Sequence, residues 1–267
     1  MSKTIFITGA SSGLGKATAK LFQSKGWNVI ATMRNPEKET ELTQLENVTL
    51  LPLDVTNLAQ IKETVSKAIS LQEIDVVFNN AGYGLTGALE ALSDDKILRQ
   101  INTNLLGVLR VTQAFISNFR ERKNGIFIST TSIGGFMGFP LHSIYHATKF
   151  ALEGWSESMS FELGKFGISI KTVAPGGIAT DFAGRSLDMN RNSEYTNIEN
   201  KLFEQMDVMM QNASTAEQIA EVVYEAATDG KDQVRYLAGV DANALYARRL
   251  KIGKEAFRQE IGKQFEE

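Results

Sequence analysis

No cysteine occurs anywhere in the chain. That absence excludes disulfides, thiolate metal sites and a cysteine nucleophile. Histidine is almost as scarce: His142 and His146 are the two imidazoles available, too few for a histidine-rich metal centre. Four prolines, Pro36, Pro52, Pro140 and Pro175, fall in expected loops or at strand ends, where a missing N–H does little harm. No run approaches the roughly 18 apolar residues that a bilayer-spanning helix requires. Met1 to Ala10 lacks the basic and apolar regions of a secretory signal. A soluble, cytoplasmic protein without membrane contact is expected. Neither sign of charge dominates: the net charge of -3 supplies no basic footprint for nucleic acid.

What is present is ordinary globular composition, 43% hydrophobic and 22% charged over 267 residues, enough chain to bury a large core without staples. Strand-like and helix-like segments alternate, which predicts an α/β fold: a Rossmann-like, doubly wound, mostly parallel sheet with helices on both faces. Strands are read at Ile5–Ile7, Val29–Ala31, Val48–Leu53, Ile74–Phe78, Gly125–Ser129 and Ile168–Ala174. Apolar residues at helical spacing mark helices through Leu14, Ala17, Leu21 and Phe22, and through Leu58, Ile61, Val65 and Ile69. A third helix carries Leu152, Trp155, Met159 and Leu163. One long helix is predicted from Ile97, Ile101, Leu105, Val108, Thr112 and Phe115. No linker or repeat divides residues 1–267, so a single domain is expected. Within it, 180–212 is weakly patterned and reads as a substrate-binding loop or lid. Residues 241–267 read as a charged C-terminal helical extension, with Arg248, Arg249, Lys251 and Lys254 on a solvated face.

Between the first strand and the first helix stands Thr8-Gly9-Ala10-Ser11-Ser12-Gly13-Leu14-Gly15. A helix N-terminus offers unpartnered N–H groups and the positive end of a dipole, and glycines let a pyrophosphate approach the backbone. The spacing differs from G-x-G-x-x-G. In dinucleotide sites an acid about 20 residues on accepts from the ribose 2′-OH of NAD, whereas an arginine accommodates the 2′-phosphate of NADP. Here Met33 occupies the acid's place and Arg34 follows. A carboxylate would repel the phosphate, and a guanidinium grips it bidentately. NADP(H) is the expected cofactor. Asp54-Val55 and Asn80-Ala81-Gly82 follow the third and fourth strands, at the strand ends where such sheets bind ligands. Turn chemistry accounts for each of them equally well by itself.

Tyr145 and Lys149 stand at i and i+4 on one helix face. An ammonium about 4 Å from a phenol is worth roughly 4 kcal/mol at an effective dielectric of about 20, enough to bring its pKa of about 10 close to 7. General acid–base catalysis works best there. Ser132, thirteen residues earlier, has a hydroxyl to orient a substrate oxygen. Asn104 is a polar residue on an apolar stripe. Both a structural amide bonding nearby backbone and a water-bridged link to Lys149 remain open for it.

Taken together, the glycine turn, Asp54, Asn79 to Gly82, Asn104, Ser132, Tyr145, Lys149 and Pro175-Gly176 with Thr180 resemble the short-chain dehydrogenase/reductase family, in spacing and in order. The glycine turn is similar to that family's T-G-x-x-x-G-x-G. The resemblance extends from Thr4 to about Asp181. It implies a seven-stranded sheet of order 3-2-1-4-5-6-7 and a catalytic tetrad at Asn104, Ser132, Tyr145 and Lys149. It further implies that Lys149 binds the nicotinamide ribose, and that Pro175, Gly176, Ile178 and Thr180 hold the nicotinamide. The activity implied is hydride transfer between NADP(H) and a ketone or aldehyde, or the matching secondary alcohol, as in bacterial ketoreductases.

Residues flanking Ser132 and Tyr145 suggest the pocket: Phe136, Met137, Phe139, Leu141 and His142, under a lid carrying Met189, Tyr195, Phe203, Met206, Met209 and Met210. Methionine suits permissive apolar surfaces, so a bulky hydrophobic small-molecule substrate is expected. A homodimer or homotetramer through the helices bearing Asn104 and Tyr145 is implied by resemblance alone. Rival readings are an NAD-linked alcohol or steroid dehydrogenase, a non-catalytic dinucleotide-binding sensor, and a sugar epimerase or dehydratase.

Overall fold

The structure is a computed structural model that describes residues 2–179, 187–211 and 213–266. Seven parallel strands form the central sheet: β1 (Thr4–Thr8), β2 (Asn28–Met33), β3 (Val48–Pro52), β4 (Val76–Asn79), β6 (Gly125–Thr130), β7 (Ile168–Pro175) and β11 (Arg235–Ala238). They lie in the order β11-β7-β6-β4-β1-β2-β3. Counting the strands of this sheet alone, the order is 3-2-1-4-5-6-7, as expected. Nine helices among the described residues connect them: α1 (Gly13–Ser24), α2 (Leu58–Leu71), α3 (Asp94–Ile101), α4 (Gly107–Arg122), α5 (Ser143–Gly164), α6 (Thr196–Gln211), α7 (Ala216–Thr228), α8 (Val240–Ile252) and α9 (Lys254–Lys263). Two short pairs lie outside the sheet: β5 (Gly84–Thr86) with β9 (Leu187–Met189), and β8 (Ile178–Ala179) with β10 (Ser214–Thr215).

The period of two in a strand decides which helices cover which face. Ile5 and Ile7 of β1, with Val29 and Ala31 of β2, join one core with Phe22 of α1 and Ile219 and Val223 of α7. Phe6 and Ile30, one residue out of step, join the other core with Ile61 and Val65 of α2 and Val111, Phe115 and Phe119 of α4. Burial on both faces is why these strands read as continuous apolar runs.

The structure refines three sequence expectations and adds one strand that none located. The stripe from Ile97 to Phe115 is not one regular helix: Asn102–Leu106 forms a π-turn between α3 and α4, with the Gly107 N–H bonded to the Asn102 carbonyl. The extra residue in that turn lets both flanking helices keep their apolar faces inward. The segment 180–212 is not simply a loop, since 187–189 is a strand and 196–211 a helix; residues 180–186 and 212 lie outside the described residues. The extension 241–267 is two helices, broken at Gly253 (φ 88°), with Arg248 reaching across to Glu260 at 2.7 Å. The last strand, β11, had no clear sequence signal. Its four residues gain their place through a buried cluster in which Lys171 lies 2.8 Å from Asp229 and the Tyr236 hydroxyl donates to Asp229 at 2.8 Å.

Candidate active site

At the carboxyl end of β1 the chain turns through Gly9 (φ 69°) into α1. Here glycine is demanded by space as well as by torsion. A Cβ on Gly9 would sit 2.8 Å from Ala81 Cα, and one on Gly15 would sit 2.3 Å from the Gly9 carbonyl oxygen. Ser12, the residue before α1, is extended and makes no side-chain cap, and no acid lies in the first turn. Ser11 is exposed, Ser12 and Gly13 are half-buried, and Leu14 and Gly15 are buried. An uncapped helix N-terminus in a side-chain-free cradle is chemically suited to a phosphate.

Thr8, to which the sequence reading gave no role of its own, ties this turn to the next strand. Its hydroxyl accepts from the N–H groups of Asn80 and Ala81, both at 3.0 Å. The Asn80 amide in turn donates to the carbonyls of Thr8 at 3.2 Å and Gly9 at 3.1 Å. Asp54 uses Oδ1 to accept from the Thr56 N–H at 2.9 Å and hydroxyl at 2.7 Å, which orients its carboxylate along the crevice rim; Val55 is buried beside Gly107. Arg34 is exposed just past β2.

Asn104 is fully buried in the π-turn. Its side chain pairs with one peptide: Nδ2 donates to the Tyr83 carbonyl at 2.8 Å and Oδ1 accepts from the Tyr83 N–H at 3.0 Å. Of the two readings open for its side chain, the structural amide is the one adopted here. It pins the loop after β4, in which Gly82 lies against Asn104 with no room to spare.

Ser132 follows β6 and accepts from the Gly134 N–H at 3.0 Å, with its hydroxyl close enough to the Tyr145 phenol to pull the phenol's pKa downward. Burial pushes the Tyr145 phenol above its ordinary value, and the Ser132 hydrogen bond partly offsets the shift. The Lys149 amine donates to the Thr130 carbonyl at 2.7 Å and lies 5.6 Å from the centre of the Tyr145 ring. Burial pulls Lys149 down to about 8, against the upward pull of Glu153 one turn further along α5. Desolvation thus acts on both groups, and the amine's hydrogen bond goes to a carbonyl.

Leu141 is held in the left-handed region (φ 61°), with its carbonyl accepting from the Gly87 N–H at 2.8 Å. That strain, costly for a branched side chain, turns His142 toward the site, where Nε2 meets the Thr86 hydroxyl at 3.0 Å and Nδ1 the Pro140 carbonyl at 2.8 Å. His146 bridges the Gly134 carbonyl at 2.9 Å and the Phe139 N–H at 3.0 Å. Burial brings it down to about 4, so it is neutral and structural. Three of the expected pocket residues are not simply pocket lining: Met137 is buried among Ala242, Phe257 and Ile261, Phe136 packs edge-on against Tyr246 at 5.3 Å, and Phe139 packs on His146 and the C-terminal helices. Lid residues Met189 and Met209 are exposed, while Tyr195, Phe203, Met206 and Met210 are half-buried. Lys96 fastens the lid's first strand through Asp188 at 2.9 Å.

Pro175 ends β7 at the same edge of the sheet, Gly176 follows it, and Ile178 opens β8. Thr180 lies outside the described residues. Residues 3–191 match the family model described as short chain dehydrogenase. The chain belongs to the short-chain dehydrogenase family.

Members with similar sequences include an uncharacterised oxidoreductase of Schizosaccharomyces pombe, 39% identical over 226 residues, covering 84% of this chain and 96% of that protein. Another is a 3-ketodihydrosphingosine reductase of Bacteroides thetaiotaomicron, 40% identical over 179 residues, 67% of this chain and 65% of that protein. Among solved short-chain dehydrogenase-like structures, ElxO with NADP bound superposes with a TM-score of 0.77 at 28% identity, covering 91% of this chain and all of that one. This short-chain dehydrogenase is thus an oxidoreductase by family. Among its described residues no group of three or more acidic, histidine or cysteine side chains is placed to hold a metal ion, and no helix is long and apolar enough to cross a membrane.

Proposed function

We propose that the protein is an NADP(H)-dependent carbonyl reductase acting on a hydrophobic ketone or aldehyde. The observation that carries this reading is the convergence of Ser132, just past β6, with Tyr145 and the buried amine of Lys149, which bonds the end of β6 and lies 5.6 Å from the Tyr145 ring centre. The tight turn at Gly9–Gly15, where a Cβ on Gly9 or Gly15 would strike Ala81 or the Gly9 carbonyl, brings an uncapped helix N-terminus to the sheet edge and fits a pyrophosphate. Arg34, exposed and without an ion pair among the described residues, fits a 2′-phosphate. Asp54 and Val55 would face the adenine, Asn80 to Gly82 the adenosine ribose, Lys149 the second ribose, and Pro175 to Ile178 the nicotinamide. The binding of NADP by ElxO supports the same assignment.

When bound, the dinucleotide supplies hydride to the carbonyl carbon. Tyr145, held protonated by burial, gives its proton to the carbonyl oxygen, while Ser132 fixes that oxygen within reach. A phenol held protonated is in the form that reduction requires of its proton donor. Lys149 keeps a positive charge beside the oxyanion left on Tyr145. Asn104 holds the Tyr83 loop, and with it the ribose floor, in place.

Exposed Met189 and Met209 on the lid, together with Val208, favour an apolar substrate of some bulk; the similarity to a reductase named for a long-chain keto compound agrees. Incubating the protein with NADPH or NADH and a panel of aliphatic, aromatic and long-chain carbonyls tests the reading by absorbance. NADPH oxidation with apolar substrates is expected. Tight NADPH binding with no turnover on any of them would favour a sensor instead. On α5 the exposed Phe150 and Phe161 flank the open position at Gly154 along one helix face, and we assign that face to a second copy of the chain; light scattering is expected to give a dimer or tetramer.

A further inference from the structure

The turn after β7 is held by the neighbouring strand β11, by β10 and by the start of α8. The Gly176 N–H donates to the Ala238 carbonyl at 3.2 Å, and the Ser214 N–H to the Gly177 carbonyl at 3.1 Å. Ile178 and Ala179 pair with Ser214 and Thr215. The remaining N–H, that of Gly177, donates to Asp241 Oδ2 at 2.7 Å, a contact spanning 64 residues.

Asp241 lies in the first turn of α8, where an acid is ordinarily explained by the helix dipole. The packing here is different. A Cβ on Gly176 would meet the Asp241 carboxylate at 2.1 Å, and one on Gly239 (φ 101°) would meet Oδ1 at 2.8 Å. Two glycines therefore make room for this carboxylate. Its Oδ1 is buried without a hydrogen-bond partner, a cost that a dipole acid pointing to solvent would avoid. Its neighbour Ala242 is fully buried against Ile133 and Met137, directly after Ser132. The C-terminal hairpin thus fixes the carboxylate on one side and the segment behind Ser132 on the other.

We propose that Asp241 is a positioning residue for the nicotinamide half of the cofactor, setting the Gly176–Gly177 peptide against which that ring rests. This inference depends on the carbonyl-reductase reading above. It concerns a residue far outside the matched family segment, which ends at residue 191.

The test compares two ligands on the whole protein: NADPH, and adenosine 2′,5′-bisphosphate, which has the phosphorylated adenosine half and no nicotinamide. Calorimetric titration of wild type, Asp241→Ala and Asp241→Asn reads both. Asp241→Ala is expected to weaken NADPH about tenfold, the size of one lost charge-assisted hydrogen bond, and to leave the bisphosphate within about twofold. Asp241→Asn, whose amide oxygen still accepts from Gly177, is expected to recover most of the NADPH affinity. Equal weakening of both ligands, or no rescue by Asn, overturns the positioning role in favour of general destabilisation. Unchanged NADPH affinity in Asp241→Ala overturns it outright while leaving the cofactor reading intact. If wild type itself does not bind NADPH, the cofactor reading falls and this inference falls with it.

Discussion

Lys149 and Tyr145 face one site from adjacent turns of α5, yet the amine bonds the Thr130 carbonyl at 2.7 Å and lies 5.6 Å from the centre of the phenol ring. The lysine is anchored to the end of β6, and the phenol lies near Ser132, just past that strand. Tyr145→Phe removes the proton donor and keeps the packing, so kcat is expected to fall by about 10²–10⁴. NADPH affinity is expected to stay within about threefold. Steady-state rates and a fluorescence titration decide this, and substantial residual turnover would refute the acid role.

Lys149 itself carries a stability cost. Its pKa is lowered to about 8, so the folded protein binds the proton less well than the unfolded chain. Stability from this group rises as pH increases from about 8 toward 10.5. At pH 7 the burden is at most about 3 kcal/mol, part of it offset by the bond to Thr130. Lys149→Met is expected to raise the cofactor-free melting temperature by a few degrees while eliminating turnover, as differential scanning calorimetry and a rate assay would show.

His146 shows the same sign of pH dependence on the acid side. Burial lowers it to about 4, with neighbouring His142 adding to the shift. A depressed histidine contributes stability that is present above pH 6.5 and lost as pH falls toward 4. The loss expected is about 3 kcal/mol. Urea denaturation between pH 7 and 4 reads it, and His146→Asn should flatten that part of the profile. A wild-type profile without this loss would contradict the neutral, bridging assignment.

Arg34 is exposed at the end of β2, so its removal does not disturb the core. Arg34→Ala is expected to weaken NADPH about tenfold or more, the scale of charge-assisted contacts to phosphate, and to change NADH affinity little. Equal losses for the two dinucleotides would remove the assignment of cofactor preference.

Replacing Asn104 by alanine deprives the Tyr83 N–H of its partner, while Gln100 still donates to the Tyr83 carbonyl at 3.1 Å. The expected cost is about 1–3 kcal/mol of stability, with weaker dinucleotide binding through the displaced loop. Thermal melting and an NADPH titration measure the two effects. A variant as stable as wild type would show that the loop has another anchor.

The parts of this protein legible in its sequence are those fixed by local chemistry. Ile5–Ile7 and Ile168–Ala174 are read as strands because both faces are buried, and Gly9 and Gly15 because their turn admits no side chain. Long-range support left no comparable trace. Thr8 looks like the last residue of a strand until Asn80 and Ala81 are seen to bond it. Asp241 looks like a helix-start acid until Gly177 reaches it across 64 residues. Phe136 and Met137 neighbour Ser132 in sequence, and that neighbourhood suggested pocket walls; the C-terminal hairpin claims them instead. Four residues of β11 carry too little pattern to be seen without Lys171 and Asp229.

The π-turn at Asn102–Leu106 also constrains how this sequence can change. An ordinary helix advances about 100° per residue. The π-turn absorbs one residue without that rotation, so losing one of its five positions restores regular winding with α4 in the same phase. Deleting a residue between Gly107 and Arg110, past the turn, would instead swing the rest of α4 by about that angle. Val111, Phe115 and Phe119 would then leave the core they share with Phe6 and Ile30. The turn is thus where this helix can change length by one residue, while the stretch from Gly107 to Phe119 is locked in length to the aromatic packing it delivers.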